Sequence, residues 1–327
     1  MPETVVGGVT GGDGRVAGTR LVVVTTGGTI ASTVDEHGVS SPTLTGSDLL
    51  GGTARQVGVE VEVREALRVD SATLTLADAD RIHRTVRDAL ADATVHGVVV
   101  LHGTDSLEET AYLLDLLHED PRPVVLTGSQ RTADHADSDA PANVRTAFLA
   151  AADPASRGRG VLVAFGGYVL AAAGVTKRHT TALDTFGTPD GALPRPGVLP
   201  DAAGPWPRVD VVALTPGDDG RLLDACLGLA PDGLVLVGLG SGNASPAVVA
   251  SVARATAAGV PVVLTTRVPA GPTASSYGGG GGGHDLVAAG GVPAGRLRVA
   301  QARVLLAVLL RGGSRAEDLR AEFARRG

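Results

Sequence analysis

The sequence predicts an α/β protein: a larger N-terminal domain on a doubly wound, mainly parallel sheet, followed by a smaller C-terminal α/β domain. Three observations predict it. Short Val- and Leu-rich runs recur along the chain, amphipathic segments lie between several of them, and a Pro- and Gly-rich stretch interrupts the pattern past the middle. Continuous apolar runs belong to strands buried on both faces, and helices alternating with them imply βαβ units. The 327 residues also exceed the length near which single cores stop growing, ~250 residues, so two domains are expected.

Taken in order, residues 1–18 are Gly-rich without hydrophobic periodicity and read as a flexible leader. Strands are expected at 21–24, 59–63, 97–101, 123–126 and 160–165. Ile82, Val86 and Leu90, like Leu107, Ala111 and Leu114, fall three or four residues apart and so share a helix face. This pattern fills a first domain at 19–187. The stretch GTPDGALPRPGVLPDAAGPWP then marks a linker at 188–208. In a second domain at 209–327, strands are expected at 209–214, 234–237 and 261–264, a helix at 246–258, and a helical pair from Gln301 onward. The glycine run 278–283 is expected to be a pliable surface loop rather than a regular element.

Composition excludes several function classes. With 43% hydrophobic and 19% charged residues the chain is globular rather than disordered, and 2% aromatics leave Val, Leu and Ala to fill the core. A formal charge of -7 opposes nucleic acid as a partner, since phosphate binding needs clustered positive charge. Arginines at 315–326 interleave with Glu and Asp at helical spacing, which describes a solvated helix face. The one cysteine, Cys226, permits no intrachain disulfide or thiolate cage, and its apolar surroundings predict a buried, inert thiol. Neither a signal peptide nor a membrane span can be read in the chain, so a cytoplasmic protein is expected.

In open parallel sheets, ligands bind beyond the carboxyl ends of the strands. Three polar clusters fall at such places: Thr25 to Thr29 (TTGGT), His102 to Ser106 (HGTDS) and Thr127 to Ser129 (TGS). Gly, Thr and Asp are also turn and N-cap residues, so Asp105 or Ser106 could simply cap the helix that begins at Leu107. TTGGT matches neither the dinucleotide fingerprint nor the P-loop, because its glycine spacing differs and no Lys follows. Lysine usage favours chemistry. Lys177 is the only lysine in the chain, and Arg cannot replace Lys where a group must lose its proton or act as a compact charge; chance retention is the competing explanation. A Thr104, Asp105 and Lys177 set would activate a hydroxyl, with Asp105 orienting the ammonium. Asp105 favours the protonated lysine and burial the neutral one, so the form that begins the cycle stays open.

With TTGGTIAS, HGTDSLEETAYLLD, VTKRHTT and RVPAG in view, the chain resembles the bacterial-type L-asparaginases, including those that also accept glutamine. The likeness runs from about Leu21 to the terminal helices; Ser106 stands where the family usually has Thr. The resemblance implies hydrolysis of the side-chain amide of asparagine with Thr29 as nucleophile. It implies Thr104, Asp105 and Lys177 as the second catalytic group, with Asp105 also receiving the substrate's α-ammonium. Ser71 would hold the α-carboxylate, the Ser129 carbonyl would meet the leaving amide, and Asn243 would come from a neighbouring subunit of a homo-oligomer, a tetramer or dimer. No metal or organic cofactor is implied, and His102 reads as a structural donor beside the site.

Two rival readings stay open on the same fold: a non-catalytic sensor of asparagine or aspartate, and an amidotransferase subunit, which the acidic balance opposes. Many family members carry a Tyr shortly after TGGT, backed by a Glu from the adjacent subunit. Here residues 32–47 hold no Tyr and 272–284 no Glu, but the latter stretch holds Tyr277. Either Tyr277 packs at the loop base, or a neighbouring subunit delivers its phenol toward Thr29.

Overall fold

The computed structural model describes residues 18–27, 32–34, 40–42 and 46–327. Thr29 and most of the leader therefore lie outside the described residues. The chain divides into two compact units, Met1–Ala192 and Leu193–Gly327.

In the first unit, β1 (Thr19–Gly27), a short antiparallel pair β2 (Ser32–Val34) and β3 (Ser40–Pro42), and α1 (Gly46–Val57) lead to β4 (Val59–Val69). Then α2 (Leu76–Leu90), β5 (Gly97–Leu101), α3 (Leu107–Leu117), β6 (Val124–Thr127), α4 (Ala140–Ala152) and β7 (Val161–Phe165) alternate. The sheet order is β4-β1-β5-β6-β7, parallel throughout, closed at one edge by the antiparallel β8 (Tyr168–Ala171). The chain therefore runs outward in one direction from β1 to β4 and in the other from β5, and the reversal falls between β1 and β5. Such a switch point opens a crevice where neighbouring strands send their loops apart.

Alternate residues of each strand supply the two faces. Leu21, Val23, Val99, Leu101, Val125 and Leu162 pack with Leu50 and Val57 of α1 and with Val144, Ala147 and Phe148 of α4. Val22, Val24, Val98, Val100, Leu126 and Val163, of opposite parity, are also fully buried, so helices cover both faces. That double covering is why the strands read as uninterrupted apolar runs.

A two-residue pair, β9 (Thr176–Lys177) with β10 (Phe186–Gly187), stands apart from this sheet. No strand or helix occupies residues 188–208. The second unit then runs β11 (Val209–Ala213), α5 (Arg221–Leu227), β12 (Gly233–Gly238), α6 (Pro246–Ala257), β13 (Val262–Thr266), α7 (Gly283–Ala288), β14 (Val292–Pro293), α8 (Val299–Arg311) and α9 (Ala316–Arg326). Its four strands form a parallel sheet in chain order.

Several expectations change. Thr25 to Gly27 belong to β1 instead of following it, and β4 extends six residues past Val63 to Val69. Cys226 is half-buried rather than buried: α5 is only seven residues long and buries Leu223, while Leu222 and Leu229 stay exposed. Arg326 is buried, its guanidinium bonded to Glu322 and to the Gly197 carbonyl, whereas Arg315, just before α9, makes the expected exposed ion pair with Glu317. Gly278 and Gly279 are exposed with open space around them, as a surface loop requires, but the second half of the glycine run is closely packed. A Cβ on Gly282 would lie 1.9 Å from the Tyr277 carbonyl oxygen, one on Gly283 2.0 Å from that of Ala274, and Gly283 opens α7. The Asp285 carboxylate further accepts from the amides of Gly280 and Gly282. These glycines permit backbone to pack on backbone.

Phe148 fills the contact between α4 and the sheet with no exposed surface. Phe148→Ala is expected to lower unfolding free energy by about 3–5 kcal/mol, read from denaturant midpoints at constant slope.

Candidate active site

The site is built where β1, β5 and β6 end. The Thr26 hydroxyl donates to the Leu101 carbonyl (3.0 Å), joining the ends of β1 and β5 at the switch point. His102 N donates to the Thr127 carbonyl (2.8 Å). A Cβ at Gly128 would come 2.3 Å from the His102 carbonyl oxygen, so only glycine lets the two turns approach so closely. From α4 the buried Asn143 side chain closes the same region: its amide donates to the Gly128 carbonyl and to Asp139, and its oxygen accepts from Gly166 N, each at 3.0 Å. Asp139 in turn accepts from the amides of Gln130 and Arg131.

His102 is fully buried and lies 2.6 Å, through Nδ1, from the Gly103 carbonyl. A carbonyl can only accept, so Nδ1 carries the hydrogen. Burial depresses the imidazole to about 4, against a weaker opposing effect of the Gly103 carbonyl. The ring is therefore neutral near pH 7, in keeping with a structural donor.

Thr104 and Asp105 occupy the turn before α3. Ser106 is the N-cap residue of that helix but makes no side-chain capping bond. Its hydroxyl instead donates to the Ser71 carbonyl (2.6 Å), while Asp105 N donates to the Ser71 hydroxyl (3.3 Å). Capping therefore does not account for this motif. The buried Ser71 opens a short turn whose own cap is Asp70.

Lys177 reaches the same place from β9, its backbone paired antiparallel with Phe186. Lys177 Nζ lies 2.9 Å from Thr104 Oγ1 and 2.9 Å from Asp105 Oδ1, residues 73 and 72 positions away in sequence. Thr104 also donates to Gln130 Oε1 (3.1 Å), and Gln130 Nε2 donates to the Thr180 carbonyl (3.0 Å). Since the Thr180 carbonyl must take the amide NH2, the Gln130 oxygen faces Thr104.

Ser71, Thr104, Asp105, Ser129 and Lys177 thus all belong to one strand-end region of the first unit. Ser129 is fully buried, its hydroxyl bonded to the Arg131 carbonyl (2.8 Å). Asn243 and Tyr277 belong to the second unit. Asn243 closes a turn by a bridge to Leu239, and its side-chain oxygen accepts from Gly283 N (3.1 Å). Tyr277 is 61% exposed, while its carbonyl accepts from His284 N (2.9 Å). Sequence reading passed over Gln130, Asn143 and Glu108. An amide on the otherwise apolar face of APANVRTAFLAAA was the available signal for Asn143; Gln130 carries none beyond adjacency to Ser129.

Lys177 Nζ, a buried hydroxyl and a carboxylate thus meet at the switch point of a parallel sheet, the place where such folds bind their ligands. Comparisons with known proteins identify the family. Residues 20–194 match the model "Asparaginase, N-terminal" and residues 208–323 the model "Glutaminase/Asparaginase C-terminal domain". A probable L-asparaginase of Deinococcus radiodurans is 38% identical over 93% of this chain and 97% of its own. An L-asparaginase of Bacillus licheniformis is 33% identical over 89% and 95%. The crystal structure of a probable cytoplasmic L-asparaginase from Campylobacter jejuni superposes with a TM-score of 0.82 at 25% identity, over 94% of this chain and 99% of that one. The chain belongs to the asparaginase family and is an amidohydrolase.

His102 also predicts a pH dependence. Its folded value of about 4 lies below the ordinary 6.5, so the unfolded chain binds a proton that the folded one refuses. Stability from this residue is complete above the ordinary value and falls as pH drops from about 6.5 to 4. His102→Gln should flatten that part of a melting temperature against pH curve; an unchanged slope would show that another group carries it.

Proposed function

We propose that this protein is an L-asparaginase, hydrolysing the side-chain amide of L-asparagine to L-aspartate and ammonia, with a side activity on glutamine. The observation that carries the reading is the convergence of the lone lysine on Thr104 and Asp105, at 2.9 Å each. In this reading the Thr29 hydroxyl attacks the amide carbon. Its proton goes to the departing nitrogen, the C–N bond breaks, and an ester to Thr29 remains. Water then adds to the ester carbon, the bond to Thr29 breaks, and aspartate leaves as the hydroxyl regains its proton.

Thr104, Asp105 and Lys177 form the second catalytic group. The Asp105 side chain is 56% exposed with one oxygen on Lys177, which suits its other oxygen to an α-ammonium. The Ser71 hydroxyl accepts from Asp105 N and so keeps its own hydrogen for the α-carboxylate. The Ser129 carbonyl is assigned to the leaving amide. Asn243 and Tyr277 are assigned to the site of a neighbouring subunit in a cytoplasmic homo-oligomer, a tetramer of two dimers or a dimer. The fixed main chain of Tyr277 beneath an exposed ring suits a phenol presented outward, toward the Thr29 of that neighbour.

Ammonia release from asparagine, coupled to a chromogenic reaction, tests the reading. Turnover by the parent is expected, and binding of aspartate without release would overturn it in favour of a sensor. Among the described residues no helix is long and apolar enough to cross a membrane. Lys177→Arg should be nearly as damaging as Lys177→Met, with the loss in kcat, because a guanidinium keeps its charge but neither deprotonates nor fits a slim stem. Parental turnover by the Arg variant would reduce Lys177 to a charge.

A second substitution tests Tyr277. General acid-base help of this kind is worth ~10² to 10⁴ in rate, so Tyr277→Phe should depress kcat while leaving aspartate affinity and oligomer mass unaltered. A parental rate would return Tyr277 to packing at the loop base.

A further inference from the structure

Lys177 rests on slight scaffolding. Its strand β9 has two residues, paired only with the two of β10, and does not join the six-stranded sheet. Two-stranded ribbons are marginal by themselves. Something else must fix the height at which the lysine stem leaves the main chain, because an error there is passed along four methylenes to Nζ.

Glu108 is placed to do this. It lies in the first turn of α3, where the helix dipole favours a carboxylate. Its Oε2 accepts from Lys177 N at 2.5 Å, across 69 residues of sequence, and its carboxylate also takes a bond from the Thr176 side chain. Thr104 and Asp105, which hold Nζ, belong to the turn that enters the same helix. One five-residue segment therefore grips Lys177 at both ends, by its ammonium through Thr104 and Asp105 and by its amide through Glu108.

We infer that Glu108 is a positioning residue for Lys177, setting the main chain from which the ammonium reaches Thr104 and Asp105. Burial pushes the Glu108 carboxyl above its ordinary range, against the bonds from Thr176 and Lys177 and the charge of Lys177. The inference rests on the asparaginase reading only for its effect on turnover.

The lone lysine makes the test direct. Protein grown with 15N-lysine presents a single labelled backbone amide, that of Lys177. In Glu108→Ala this amide should move upfield and exchange its hydrogen ~10- to 100-fold faster, since its acceptor is gone. Turnover should fall by roughly 10- to 100-fold in kcat, as small misplacements of catalytic groups do, with aspartate affinity within about two-fold. Glu108→Gln keeps an acceptor oxygen and should restore both the protected amide and most of kcat. An unmoved Lys177 amide in the Ala variant would overturn the inference, and so would a parental kcat or a Gln variant as impaired as Ala. Should Glu108→Ala not fold, Glu108→Asp, which withdraws the carboxylate by one methylene, is read in its place: a displaced amide supports the inference and an unmoved one overturns it. If the amide responds as expected but the parent releases no ammonia, it is the asparaginase reading that fails and not the anchor.

Discussion

The site depends on one junction, where Lys177 Nζ meets Thr104 Oγ1 and Asp105 Oδ1. The junction contributes little to stability. Its ion pair has side chains 21% and 56% exposed, and pairs this open to water are worth about 0–1 kcal/mol. A single buried Phe148 outweighs that several-fold. The fold therefore holds the junction in place, and not the reverse. The grip comes from buried bonds between uncharged groups around it, Thr26 to Leu101, Thr127 to Ala164, His102 to Thr127 and Asn143 to Gly128, helped by the bonds of Asn143 to the Asp139 carboxylate and from Gly166 N. Each removes from a strand end the freedom that would let Thr104 wander from Lys177.

Legibility followed the range of the interactions. The strands at 97–101 and 161–165 announced themselves because burial on both faces makes every position apolar, α2 because one face of it must be apolar, and α3 because its buried Leu107, Ala111 and Leu114 keep helical spacing in a helix that is buried nearly all round. The meeting of Lys177 with Thr104 and Asp105 was legible for a chemical reason: a chain that uses Arg everywhere else kept Lys at one position. By contrast β8 at the sheet edge is only partly buried, and β9 and β10 are two residues each, too short for any periodicity to register. Glu108 and Gln130 were invisible because their partners lie 69 and 26 residues away. Long-range acceptors leave no local pattern.

The glycine run shows a different failure. Six glycines in a row suggest slack, yet the backbone carbonyls of Tyr277, Ala274 and Ala244 occupy the space that Cβ atoms on Gly282, Gly283 and Gly281 would need. Composition measures the entropy of the unfolded chain, whereas close packing of main chain on main chain is a property of the folded one. Both demand glycine, and sequence alone does not tell them apart. The distinction matters for Tyr277, whose exposed ring stands on a main chain fixed by these contacts.

Direction, finally, follows from donors and acceptors alone. An ammonium can only donate, so Lys177 gives a hydrogen to Thr104, and Thr104 gives its own to Gln130 Oε1, whose amide NH2 is turned to the Thr180 carbonyl. The hydroxyl hydrogen of Thr104 thus points toward Gln130 in this state. A hydroxyl carries one hydrogen, so Thr104 can hand a proton to a third group only after letting go of Gln130. If Lys177 instead gives up a proton and accepts from Thr104, the same bond to Gln130 must break first. Either route through Thr104 begins with a rotation about one side-chain torsion, and Gln130, a neutral acceptor, opposes that rotation less than a carboxylate would at the same place.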